Sequence, residues 1–108
     1  MTAATSKRLA FLEKVTREGS TDPIAWYGLA MEYRSLQRWD ESLQTFTSLR
    51  ATNPEYVPMY LMCGQMLAEQ GRKDEARAWL EAGAEAAQKA GNGHAAGEIA
   101  DALATLDA

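Results

Sequence analysis

Apolar side chains recur three or four positions apart along most of the chain, and helix-breaking residues divide this pattern into six segments. Leu9, Leu12 and Val15 show the spacing near the start, and Ile99 and Leu103 show it near the end. Residues at this spacing share one face of an α-helix, so the pattern predicts amphipathic helices. No segment alternates between apolar and polar residues over a useful length, and we predict no β-strand. The predicted helices span residues 6–18, 23–36, 39–52, 55 or 57 to 70, 74–90 and 94–106.

Turn-forming residues support these boundaries. Asp22 can accept hydrogen bonds from the unpaired N–H groups that begin the second helix, and Pro23 suits its first turn because proline has no N–H group. Thr5 or Ser6 can cap the first helix in the same way. Gly71 follows the fourth helix, where glycine readily adopts the left-handed backbone that ends a helix.

The helical pattern repeats after 34 residues. Three charged residues recur unchanged one period later, with Arg38, Asp40 and Glu41 returning as Arg72, Asp74 and Glu75. Eight further positions share the register: Trp26, Leu29, Ala30, Tyr33, Ser42, Phe46, Leu49 and Pro54 correspond to Tyr60, Cys63, Gly64, Leu67, Ala76, Leu80, Gly83 and Gln88. A period of this length indicates stacked helical units, each too small to bury its apolar face alone. A binding surface is therefore expected more than an active site.

The spacing of these residues resembles the tetratricopeptide repeat (TPR), a 34-residue helix–turn–helix unit. Ala30 and Ser42 stand at the small-residue positions where the two helices of a unit touch, and Gly64 and Ala76 stand there in the second copy. The second copy departs from the family pattern, because Gln88 stands where a proline is usual and Leu67 where an aromatic residue is usual.

This resemblance implies an all-α fold, a right-handed α-solenoid of antiparallel helix pairs with six helices. Residues 1–108 would form a single domain. Its parts would be an N-terminal capping helix at 6–18, TPR units at 23–56 and 57–90, and a C-terminal capping helix at 94–106.

The resemblance also implies a binding surface, since the first helices of successive TPR units line a concave groove that receives a peptide or a partner helix. The corresponding residues of this chain are Ile24, Tyr27, Met31, Arg34, Leu61, Met62, Gln65 and Ile99. None of them is lysine, so we predict no carboxylate clamp of the kind that chaperone-binding members carry. The mostly apolar, methionine-containing set suits an amphipathic helix or a hydrophobic peptide.

The expected function is that of a protein–protein interaction module or adaptor, without catalysis of its own. An alternative is a self-assembling structural module, in which the C-terminal helix or another copy of the chain occupies the groove. A weak homo-oligomer is compatible with either hypothesis, and the identity of the partner stays open.

Charge narrows the choice of partner. The net charge of −4 argues against nucleic acid, because phosphate binding needs a basic surface. The charge is also uneven: residues 1–50 carry seven Lys/Arg and six Asp/Glu, whereas residues 51–108 carry four and nine. This asymmetry could favour head-to-tail contacts between copies, although a solvated acidic surface is the simpler interpretation.

The remaining residues of chemical interest do not indicate a cofactor or a catalytic site. Met59, Met62, Cys63 and Met66 form a sulfur-rich stripe that copper(I) would suit, but we expect core packing, and neither a metal nor a cofactor is predicted. His94 is the only histidine. Cys63 is the only cysteine, which excludes an intramolecular disulfide. Without an apolar run suited to a signal peptide or a membrane span, we expect a cytoplasmic protein.

Overall fold

The computed structural model describes residues 4–108, and these residues form six α-helices without a β-strand. The all-helical prediction is confirmed. The helices are α1 (Lys7–Arg17), α2 (Pro23–Ser35), α3 (Trp39–Thr52), α4 (Pro58–Glu69), α5 (Lys73–Lys89) and α6 (Gly93–Asp107). Each begins and ends within a few residues of the range that the apolar pattern predicts.

Short polar side chains begin three of the helices. Oγ of Ser6 accepts a hydrogen bond from the Leu9 N–H at 2.9 Å, which selects Ser6 from the two predicted caps of α1. Oδ1 of Asp22 accepts from the Ile24 N–H at 2.9 Å, and Pro23 occupies the first turn of α2 as predicted. Oδ1 of Asn92 accepts from the Ala95 N–H at 3.0 Å at the start of α6.

The turns after α2 and α4 share a left-handed residue. Gly71 has a φ of 76°, as predicted for the end of α4. The equivalent residue one period earlier is Gln37, which has a φ of 60°. A side chain makes this conformation costly for any residue except glycine, so the first turn carries a strain that the second avoids.

The chain folds as two compact units, a first that ends at Asn53 and a second that runs from Pro54 to Ala108. In the first unit, α2 packs against both α1 and α3. Leu9, Leu29 and Tyr33 form a buried cluster between α1 and α2, and Phe46 of α3 is fully buried. Oγ of Ser42 donates a hydrogen bond to the carbonyl oxygen of Ala30 at 2.7 Å, and so joins α3 to α2 where two small residues were predicted.

In the second unit, the three helices α4, α5 and α6 all pack against one another. Gly64 lies so close to α5 that a Cβ atom there would lie 2.6 Å from Cδ2 of Leu80. A Cβ atom at Gly83 would lie 2.5 Å from Cβ of Tyr60. Both glycines therefore permit a close approach of α4 and α5 that no larger residue would allow. The contact at Gly64 confirms the predicted reason for small residues at the helix crossing.

Candidate functional site

The helix α2 carries the predicted binding residues of the first unit. The side chain of Ile24 is 66% exposed in the first helical turn, next to the capping Asp22. Tyr27, Met31 and Arg34 are half-buried. The Tyr27 ring meets the Phe46 ring of α3 edge-on, with centroids 6.4 Å apart and an angle of 63° between the planes. Ile24 is thus the apolar residue of this set most available to a partner, whereas Tyr27 also contributes to internal packing.

A polar cluster lies where α2 faces α1. The Tyr33 hydroxyl donates a hydrogen bond to Oε2 of Glu13 at 2.6 Å. The guanidinium carbon of Arg38 lies 4.9 Å from the centre of the Tyr33 ring, within cation–π range. Burial of the hydroxyl, together with the Glu13 carboxylate, raises the pKa of Tyr33 to about 12. Tyr33 therefore stays protonated at neutral pH, and its role here is structural.

The helix α4 separates its side chains into two groups. Leu61, Met62 and Gln65 are half-buried and belong to the predicted binding set. Met59, Cys63 and Met66 are buried among the core residues of the second unit. The core interpretation of the sulfur-rich stripe is correct for these three residues. Residues 4–108 contain no group of three His, Cys, Asp or Glu side chains arranged to hold a metal ion.

Ile99 differs from the other predicted binding residues because its side chain has no exposed surface. Its Cδ1 atom approaches Gly83 of α5, where a Cβ atom would lie 3.2 Å away. The apolar face of α6 is used to cover α5, so Ile99 serves the core of the second unit. We therefore correct the predicted set by removing Ile99 from the surface that a partner could reach.

Among the described residues of the second unit lie two open cavities. The larger, of about 610 Å³, is bordered by α4, α5 and α6, with Gln65, Glu69 and Lys73 among its polar lining residues. The other, of about 370 Å³, includes Tyr60 and Lys89. Gln65 is the single predicted binding residue that borders either of them. The predicted residues thus form accessible surface on α2 and α4 more than they line an enclosed pocket.

The recurring Arg and Glu residues have a role that the sequence pattern did not reveal. Nε and Nη2 of Arg38 donate to the two carboxylate oxygens of Glu41 at 2.7 and 2.6 Å. Arg72 binds Glu75 in the same way, at 2.9 and 2.7 Å. The hydrogen bonds from Arg38 hold the pKa of Glu41 below its usual value. Because Arg38 and Arg72 precede α3 and α5, which have no side-chain cap, these pairs order the two helix starts. The exact recurrence in sequence was the available signal.

Among the described residues, no helix combines the length and the apolar character that crossing a bilayer requires.

His94 is exposed on α6, with its Nε2 atom 3.1 Å from Oε1 of Glu98 one turn later. The geometry around the single histidine thus amounts to a surface pair within one helix.

Comparison with known proteins identifies the repeat. The sequence profile of the tetratricopeptide repeat family matches residues 27–92. None of the curated protein sequences is significantly similar to the chain.

Solved structures include proteins of similar fold. A solution structure of a TPR domain protein from Salinibacter ruber has 29% sequence identity and a TM-score of 0.76, with 80% of this chain and 87% of that chain covered. A crystal structure of the Salinibacter ruber TPR domain protein has 29% identity and a TM-score of 0.74, with coverage of 80% and 97%. A protein from Bordetella parapertussis shares the fold, at 23% identity and a TM-score of 0.81, with coverage of 95% and 90%.

Proposed function

Because the chain belongs to the tetratricopeptide repeat family, whose repeats generally serve as protein–protein interaction modules, we propose that it binds a protein partner through the first helices of its repeats. The proposed binding residues are Ile24, Tyr27, Met31 and Arg34 of α2 and Leu61, Met62 and Gln65 of α4. The observation that carries the proposal is that five apolar members of this set keep accessible surface, although other apolar residues of the same helices are buried.

The chemistry of these residues indicates an apolar ligand. Methionine side chains adapt to irregular surfaces, and Met31 and Met62 place one such side chain on each first helix. Lysine is absent from the set, so a carboxylate clamp is not part of the proposal. An amphipathic helix or a hydrophobic peptide is the ligand class that fits best, because its anchors would bury apolar area without unpaired charge.

The alternative hypothesis places the C-terminal helix or another copy of the chain in the groove, and the structure bears on the first of these. In the second unit α6 packs against α4, yet Leu61, Met62 and Gln65 keep part of their surface accessible. This remaining accessibility supports an external partner for α4 over complete filling by α6.

The test is affinity capture from a lysate of the source organism, with quantitative mass spectrometry of the proteins retained. Ile24→Glu and Leu61→Glu are compared separately with the unchanged chain, because each replaces an apolar side chain of the proposed surface with a charge. Ile24 is chosen over Tyr27 because Tyr27 contacts Phe46 and its replacement would also disturb packing. We expect the amount of a protein that the unchanged chain captures to fall tenfold or more in both variants.

Phe11→Glu is the matched control, since Phe11 is the other exposed large apolar residue among residues 4–108 and it lies outside the proposed surface. Circular dichroism confirms that all the variants remain helical. Equal capture by the Ile24→Glu, Leu61→Glu and unchanged chains would refute binding through α2 and α4. The cytoplasmic location stays a prediction that imaging of a tagged chain would test.

A further inference from the structure

In the repeat register α1 is a second helix, like α3 and α5. Phe11 of α1 is exposed, although the equivalent residues of α3 and α5 are buried. Its side chain is 56% exposed, whereas the residues one and two periods later, Thr45 and Trp79, are buried. Trp79 of α5 packs on Tyr60 of α4, with ring centroids 6.0 Å apart. Both α3 and α5 pack against the helix that precedes them. Within the described residues, no helix precedes α1 to cover Phe11 in the same way.

The helix α6 has the complementary feature. In the repeat register it is a first helix, and its residues His94, Gly97, Glu98 and Asp101 correspond to Tyr60, Cys63, Gly64 and Leu67 of α4. Those four residues of α4 are buried, and α4 packs against α5. The corresponding four residues of α6 are all exposed. The face of α6 that a second helix would cover is therefore open.

Gly97 leaves space on this open face for a side chain of another molecule. Glycine in the middle of a helix is destabilising by about 0.5–1 kcal/mol relative to alanine. Gly64 and Gly83 have a reason to be glycine, because a Cβ atom at either would lie less than 3 Å from another helix. A Cβ atom at Gly97 would meet nothing within 4 Å. Packing among residues 4–108 thus does not explain Gly97, whereas a side chain inserted from another molecule would.

The charges of the two helices are opposite. α1 carries the basic residues Lys7, Arg8, Lys14 and Arg17 and one acidic residue, Glu13. α6 carries Glu98, Asp101 and Asp107 and no lysine or arginine. Within the chain, Arg8 lies 3.8 Å from Glu32, Glu98 pairs with the exposed His94, and Asp107 pairs with Arg77. These helices would attract each other between copies.

The register places two of these charges at one site. Gly64 and Ala76 meet where α4 and α5 approach, with 3.5 Å from a Cβ atom at Gly64 to the Ala76 carbonyl oxygen. The residue one period after Gly64 is Glu98, and the residue two periods before Ala76 is Arg8. If α6 of one copy packed on α1 of another as α4 packs on α5, Glu98 and Arg8 would therefore face each other. Phe11 would face His94, because the equivalent Trp79 packs on Tyr60.

We propose that the protein associates head-to-tail with a second copy of itself, with α6 of one copy docked on α1 of the next. This association uses surfaces other than the proposed partner-binding residues of α2 and α4. Arg8 and Glu98 are longer than Ala76 and Gly64, so the docked helices lie farther apart than α4 and α5 do. The contact is accordingly weak and reversible, and it weakens as salt screens the charges. Such a contact joins two different surfaces, so a dimer keeps one free α1 face and one free α6 face.

Sedimentation velocity of the full chain tests the proposal, at concentrations up to about 1 mM, where weak contacts become measurable. We expect the average mass to rise with concentration and to fall when salt is added. Phe11→Glu and Glu98→Arg each weaken association by about tenfold or more, because each disrupts one of the two faces. Mixing the two variants restores association but stops at a 1:1 dimer, since one intact α1 face meets one intact α6 face.

Two controls separate this contact from other effects. Glu81→Arg makes the same charge change on an exposed position of α5 and leaves association unchanged. Ile24→Glu replaces the exposed apolar side chain at the start of α2 and also leaves association unchanged, although the proposed function expects it to reduce capture of the partner. A chain that stays monomeric throughout the concentration range overturns the proposal. Association that survives Phe11→Glu, or single variants that do not complement each other, also overturns it, and neither result affects the proposed function.

Discussion

The two units join equivalent pairs of helices by different chemistry. In the first unit, Ser42 of α3 donates a hydrogen bond of 2.7 Å to the carbonyl oxygen of Ala30 in α2. In the second unit, the equivalent residues are Ala76 and Gly64, and Leu80 packs where a Cβ atom at Gly64 would lie. The repeat register therefore requires small residues at this crossing, while a polar contact and an apolar contact both satisfy it.

The units also differ in the chemistry around one equivalent residue of their first helices. Tyr33 of the first unit binds Glu13 and lies beneath Arg38, whereas its equivalent Leu67 is a buried apolar residue. The Arg–Glu pair before the second helix is nevertheless present in both units. Nη1 of Arg38 also donates a hydrogen bond of 2.8 Å to the Ala4 carbonyl oxygen. The helix start is thus kept in both copies, while its surroundings have diverged.

The largest expected effect of a single substitution is on the core of the first unit. Phe46 is fully buried and supports the Tyr27 ring, so Phe46→Ala should lower the free energy of unfolding by about 3–5 kcal/mol. Chemical denaturation followed by circular dichroism measures this loss. Leu80→Ala removes the equivalent residue of the second unit and should lower it by about 2–5 kcal/mol. A loss under about 1 kcal/mol for Phe46→Ala would show that the core near α3 repacks freely.

The close approach of α4 and α5 predicts a cost for a single methyl group. Gly64→Ala places a Cβ atom against Leu80 and should lower the free energy of unfolding by about 1–3 kcal/mol through overpacking. Gly97→Ala is the matched control, since no described residue lies within 4 Å of the added atom and alanine favours the helix by up to about 1 kcal/mol. The melting temperature, measured in dilute solution, should therefore fall for Gly64→Ala and rise for Gly97→Ala. An unchanged melting temperature for Gly64→Ala would contradict the close helix contact.

The polar cluster of the first unit predicts a pH effect. Tyr33→Phe removes the hydrogen bond to Glu13 and should cost about 1–2 kcal/mol at neutral pH. The pKa of Tyr33 is raised from 10.0 to about 12, so the folded chain holds this proton more tightly than the unfolded chain does. The stability that Tyr33 contributes is complete below pH 10.0 and is lost as pH rises towards about 12.

Ultraviolet absorbance of the tyrosinate band measures this titration. The unchanged chain should show a component that titrates near pH 12, and Tyr33→Phe should remove that component. Glu13→Gln should shift it to lower pH, because the carboxylate no longer opposes the phenolate. A titration near pH 12 that is the same with and without Tyr33→Phe would argue against the Tyr33–Glu13 contact.

The smallest effect is expected at the two equivalent turns. Gln37→Gly relieves the left-handed strain after α2, and the gain in folding stability should be at most about 1 kcal/mol, because glycine also loses more backbone entropy on folding. Gly71→Ala places a side chain in the same conformation after α4 and should destabilise by about 1–2 kcal/mol. Denaturant midpoints of the two variants should shift in opposite directions. A shift of the same sign would mean that the two turns are not equivalent.

Much of the fold was predictable because local signals agreed with the apolar period. Ser6, Asp22 and Pro23 act at helix starts through their own side chains, and Gly71 ends a helix through its own backbone. The left-handed Gln37 was not predicted, because glutamine carries no preference for that conformation. The signal is its repeat register, in which Gln37 is equivalent to Gly71.

The candidate site was less predictable. Register placed Ile24 and Leu61 on first helices, and both keep accessible surface. It also placed Ile99 in the same series, but Ile99 is buried against α5. Register assigns a residue to a face of its helix, whereas exposure depends on which other helix covers that face.

The sequence by itself determined the six helices, the period of 34 residues and the small residues at the helix crossings, because each depends on side chains at fixed spacing along the chain. Tertiary structure alone decided which apolar residues are hidden and which remain accessible. Phe11 and Trp79 occupy equivalent positions two periods apart, yet one is 56% exposed and the other 8%. The physical reason is that burial is a property of two surfaces in contact, and the period specifies only one of them.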